Sequence, residues 1–165
     1  MPKSHGPARR AKSLVGIPWL AEDGSLDPAR FPIEGLLQQA LDREHGSLRT
    51  ACTMLQSLCS HGRTEAGVYL LGLLRFYQGD LERLVVIVES LAAFRTPQSA
   101  GALFGELRRV KSDNSTRGYL AVVLRTLLRF PPELVEDGLS VLAEDKSFSI
   151  KMRQKFRVAA EELYW

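Results

Sequence analysis

YLLGLLRFYQGDLERLVVIVESLAAF, Tyr69 to Phe94, decides how the whole chain folds. A membrane-spanning helix needs about 20 nearly uninterrupted apolar residues. Here Arg75 ends the first apolar run, and Asp80, Glu82, Arg83 and Glu89 interrupt the second. The stretch does not read as a membrane span. Gly79 can adopt the left-handed backbone that closes one helix, and Asp80 can accept the free N–H groups that open the next. Gly-Asp between two apolar-periodic segments therefore predicts an αα-hairpin. Both flanking segments are apolar over more than one face, as when helical hairpins stack in a row.

The same punctuation recurs on both sides. GSL…QSL at Gly46–Leu58 answers GDL…ESL at Gly79–Leu91, 33 residues later. A third start is DNSTRGYLAVVLRTL, with Ser115 as the expected cap, and a fourth is KSFSIKMRQKF, with Ser147 or Ser149. Partner helices are expected near Ile33–Arg43, Thr64–Tyr77, Gln98–Lys111 and Pro132–Glu144; no useful strand-like alternation appears. The reading is all-α: a right-handed α-solenoid of about four helical hairpins over residues 31–164. Stacking then buries the apolar face that each hairpin leaves open. An irregular eight-helix bundle is the alternative.

LGLLRFYQGDLERL resembles a tetratricopeptide repeat. Leu71-Gly72 lets its helices approach, Gly79-Asp80 forms the turn, and Ala92 and Pro97 stand at the small and terminating positions. HGSLRTACTMLQSL and DNSTRGYLAVVLRTL instead resemble the second helix of HEAT-type or armadillo-type repeats. Ser47, Arg49, Ala51 and Leu55 match that pattern, as do Asp113, Arg117, Leu120 and Leu124. Pro131-Pro132 suits it too. The HEAT-like resemblance is favoured, and it implies a scaffold that binds another protein.

The ends differ from this body. Lys3, Arg9, Arg10 and Lys12 are the only charged residues before Glu22; without them, 22 basic residues become 18 against 19 acidic. The high pI of about 9.0 thus belongs to the tail, and pI alone gives no reason to read the whole chain as nucleic-acid-binding. Residues 1–13, with Pro2, Gly6 and Pro7, read as a disordered basic tail. The tail lacks the apolar core of a secretory signal, and its two prolines oppose an amphipathic presequence helix. Residues 14–30, carrying Trp19 in a Pro/Gly-rich context, read as a non-periodic segment wrapping the first hairpin. Cys52 and Cys59 give no disulfide framework, so the expected compartment is cytoplasmic.

Chemistry-bearing constellations are sparse. Cys52 and Cys59 fall on one apolar helical stripe with Leu48 and Leu55, which suits packing better than a metal site with His45 and His61. His45 is expected just ahead of its helix. The sequence contains no phosphate-binding glycine loop, and its histidines lack a recognisable nucleophile partner. The expectation is a protein without catalytic activity, metal or cofactor. Candidate partner contacts are Arg49, Arg83, Arg108, Arg109, Arg117, Lys151, Arg153, Lys155 and Arg157. Turn-proximal arginines can equally tie neighbouring repeats together. Nucleic acid, held by the basic tail and the basic last helix, is the second partner class.

Overall fold

The computed structural model describes residues 17–164. The tail 1–13, Leu14, Val15 and Trp165 lie outside the described residues. Among the described residues, eight α-helices succeed one another: α1 Ile33–Ala40, α2 His45–Ser60, α3 Thr64–Phe76, α4 Leu81–Ser90, α5 Pro97–Arg109, α6 Arg117–Leu127, α7 Pro132–Glu144 and α8 Ile150–Glu162. A short 3-10 turn, Leu91–Ala93, extends α4. No helix among the described residues is long and apolar enough to cross a membrane.

Local chemistry explains most of the boundaries. Asp80 accepts from the Arg83 N–H at 3.1 Å and opens α4. Thr96 and Ser99 form a reciprocal capping box at α5, where Pro97 sits in the first turn without an N–H to strand. Ser149, one of the two serines expected to cap the last helix, accepts from Met152 N–H at 3.2 Å. Other boundaries depart from expectation. Gly79 lacks the left-handed backbone, because a Tyr77–Asp80 turn with a 2.9 Å hydrogen bond already closes α3. The positive φ falls at Gly62, at 92°, where the Arg63 N–H returns to Leu58 O and ends α2. His45 begins α2 and does not precede it. Ser115 is not the cap of α6, since the Asp113 carboxylate draws in the Ser115 and Thr116 N–H groups and delays the start to Arg117.

The opening stretch forms α3 and α4, which pack on each other. α4 also lies against both α2 and α6, so Leu84, Ile87 and Val88 are fully enclosed while Val85 and Val86 are half-buried. Burial from several sides is why this helix is apolar almost all round. Each enclosed Leu or Ile stabilises the fold by about 1.5–3 kcal/mol. Two glycines admit aromatic rings. A Cβ on Gly67 would run into the Phe94 ring, and one on Gly138 would run into Phe104. The second contact joins α5 to α7.

Polar ties repeat between hairpins. The Tyr77 hydroxyl donates to Ala40 O at 2.7 Å, and Arg83 Nη2 donates to Arg43 O at 2.7 Å, both reaching the end of α1 and the turn after it. Arg109 Nη1 reaches Gln78 O in the α3–α4 turn at 3.2 Å. Each of these two turns thus has carbonyls satisfied by side chains from the next hairpin. The N-terminal segment is attached similarly, with Arg63 Nη1 donating to Pro28 O at 2.9 Å and Phe31 O at 2.8 Å. Within it, Leu20 and Leu26 form an isolated bridge, and Trp19 sets its edge against Phe31.

Candidate binding groove

The helix row α2, α4, α6 changes character at its C-terminal end. α2 packs on α4 and α4 on α6, whereas α8 packs chiefly on α7. A cavity of about 360 Å³ opens between α6 and α8. A second hollow of about 280 Å³ continues it, sharing Leu124, Leu128 and Lys155. The first is lined by α6 over its whole length and by the first half of α8, and the second by the ends of both, so the two helices run in the same direction along one groove.

The floor is apolar. Leu120 and Leu124 from α6 face Met152 and Phe156 from α8, with Leu107 behind them. Phe156 is completely buried and stands edge-on to Phe148, with ring centroids 5.3 Å apart. Leu124 and Leu128 are only half-buried, Ala121 is exposed, and Val158 is 41% exposed.

Cations edge this floor. Arg117 and Arg125 stand on α6, and Lys151 and Lys155 on α8. All four are exposed. Arg125 lies 3.7 Å from Glu89, an open pair worth little in water. Acids border the groove at its ends, as Asp113 and Glu162. The Ser115 hydroxyl, with the Thr116 and Ser115 N–H groups after it, holds the Asp113 carboxyl below its usual range, so this acid is engaged within its own loop.

Three of the cations singled out in the sequence, Arg117, Lys151 and Lys155, therefore meet at one groove. The others are distributed elsewhere. Arg153 is half-buried, and Arg157 turns to α7, donating to Glu144 at 3.0 Å and to Ala143 O at 3.5 Å. Arg49 and Arg83 border a hollow between α2 and α4. There Arg83 is occupied by Asp80, by Arg43 O and by the Tyr77 ring face, 5.4 Å from its centroid. Arg109 grips Glu106 through two nitrogens. Exposed Arg108 adds to the Ser147 hydroxyl and N–H, which do most to hold the Asp145 carboxyl below its ordinary value.

Arg125 and the half-open floor escaped the sequence reading. A faint signal existed: Arg117, Ala121, Leu124 and Leu128 share one helical face while Leu120, Val123 and Leu127 fill the buried ones. α6 thus carries more apolar surface than its neighbours cover. Cys52 packs fully enclosed between Leu48 and Leu55, with Cys59 half-buried further along the stripe. Among the described residues, no group of three His, Cys, Asp or Glu side chains is placed to hold a metal ion. Compared with protein-family models, with curated proteins and with solved structures, the chain matches none.

Proposed function

We propose that this chain is a non-enzymatic protein-interaction module, a small right-handed α-solenoid of HEAT-like hairpins working in the cytoplasm. The observation that carries the reading is the α6–α8 groove: an apolar floor left open where the helix row stops packing, with four cations along its edges. Open apolar surface of this kind, rimmed by polar groups, suits docking of a protein segment. The solenoid reading is supported by the order α2, α4, α6 and by the ties from one hairpin to the turn before it.

A second reading, nucleic-acid binding, is favoured by Arg117, Lys151 and Lys155 meeting on one surface. Against it, Phe156, the ring in the floor, is buried and offers no face for base stacking, and Arg153 and Arg157 do not line the groove.

The test is photo-crosslinking in extracts of the source cells. A benzophenone side chain would replace exposed Ala121 in the groove, or exposed Val68 on α3 as control. A discrete protein adduct from position 121 and not from position 68 supports the interaction reading. A nuclease-sensitive adduct from position 121 supports the second reading, and no adduct there counts against both.

A further inference from the structure

We infer that the α6–α8 groove receives an acidic amphipathic helix of a partner protein, about three turns long; this rests on the interaction-module reading. The wall formed by α6 is an eleven-residue helix, and at 1.5 Å per residue it runs for about 16 Å, the length of three helical turns. A helix offering apolar side chains at i, i+4 and i+7 would set them on Leu124, Leu128 and Met152. Its flanks would then pass between Arg117 and Arg125 on one side and Lys151 and Lys155 on the other. Carboxylates on those flanks complement the rim, whereas lysines would meet like charge along its whole middle.

The same charge argument disfavours occupants from this chain. The N-terminal tail carries Lys3, Arg9, Arg10 and Lys12 with no acid, so it shares the sign of the rim. α7 is the acidic helix of this protein, but Val135, Leu139 and Leu142 are already buried in its own core. A second copy could offer little apolar surface from it beyond Val141.

The test uses fluorescence anisotropy with the full-length protein and three labelled peptides of about 14 residues, long enough to span the groove as a helix. One carries Leu at i, i+4, i+7 and i+11 with Glu on the flanks. Its twin carries Lys in place of Glu, and the third has the acidic composition with the leucines dispersed around the helix. The acidic amphipath should bind at least about tenfold tighter than either control, a difference of about 1.4 kcal/mol. Lys151→Glu/Lys155→Glu should weaken the acidic peptide and strengthen the lysine twin. This exchange of preference cannot come from misfolding. Ala121→Trp, which fills the groove, should weaken binding of the acidic peptide.

Equal binding of the lysine twin or the dispersed peptide overturns the inference. So does a self-association of the protein that the Lys151→Glu/Lys155→Glu pair abolishes, since the occupant is then a second copy. A protein crosslinked from position 121 that the acidic peptide fails to displace overturns the acidic helix and leaves the interaction reading standing. Absence of any protein adduct at that position overturns the interaction reading itself.

Discussion

Tyr119 donates its phenolic hydroxyl to Glu106 Oε2 across 2.6 Å, and both side chains are buried, 3% and 4% exposed. Arg109 donates to both oxygens of the same carboxylate, at 3.0 and 2.5 Å. The end of α5 is thereby fastened to the start of α6, beside the helix that forms one wall of the groove. A carboxylate removed from water needs such donors, because an unpaired one costs several kcal/mol.

Tyr119→Phe should therefore destabilise the protein by about 1.5–3 kcal/mol, the range for a hydrogen bond to a charged group. The Tyr119 phenol is pushed well above its ordinary value, first by burial and then by the Glu106 carboxylate that accepts its proton. The folded state thus holds this proton more tightly than the unfolded chain does. Its stabilisation is complete below about pH 10, where an unfolded tyrosine titrates, and is lost as pH rises beyond that. Urea denaturation at pH 8 and pH 11 should show a smaller alkaline loss for Tyr119→Phe than for the native chain. Equal losses would exclude this phenol as a source of the alkaline sensitivity.

Gly67→Ala and Gly138→Ala should each cost about 1–3 kcal/mol through overpacking against Phe94 and Phe104. At this chain length that corresponds to about 2–4 °C of Tm per kcal/mol. Phe94→Leu should recover part of the loss in Gly67→Ala and not in Gly138→Ala. Thermal unfolding monitored by circular dichroism reads both effects.

Thiol reagents should discriminate between the cysteines. Burial pushes the Cys52 thiol up to about 12, and burial also raises Cys59, which is less enclosed and donates to Ala93 O. Near neutral pH, Cys59 should be alkylated first, and Cys52 only as fast as the core opens. Peptide mass spectrometry after timed alkylation checks the order, and equal rates in the native protein would contradict it.

Arg63→Ala should release the segment before α1 while leaving the helices folded. Its guanidinium holds the carbonyls of Pro28 and Phe31 and also pairs with Glu65. Amide exchange in residues 17–32 should accelerate severalfold, with exchange in α4 unchanged. Acceleration in α4 as well would mean that Arg63 supports the whole core.

The hairpin pattern is legible in the sequence because its signals are local. Asp80, Ser149 and Pro97 act within one turn of chain, and a cap is recognisable without knowing its surroundings. The eight helices arise from such signals and from apolar periodicity. Gly79 misleads because the Tyr77–Asp80 turn offers another way to close a helix, a choice between geometries that one glycine does not decide. Ser115 loses to Asp113, whose carboxylate competes for the same N–H groups. The site is legible only in part. Arg117, Lys151 and Lys155 stand out as cations, but their meeting depends on how α8, packed chiefly on α7, is set beside α6. Periodicity carries no record of that spacing. Arg83 and Arg109 look equally available in sequence, and only the fold shows their guanidinium groups committed to backbone carbonyls of an earlier turn.

Those commitments run in one direction along the chain, and this bears on synthesis. The partners of Ala40, Arg43 and Gln78 lie 37, 40 and 31 residues downstream. At about 5–20 residues per second, a ribosome delivers each partner about 2–8 s after the carbonyl it must cover. The first two hairpins therefore spend seconds before these carbonyls meet their side-chain partners, waiting for the next hairpin to emerge and latch them.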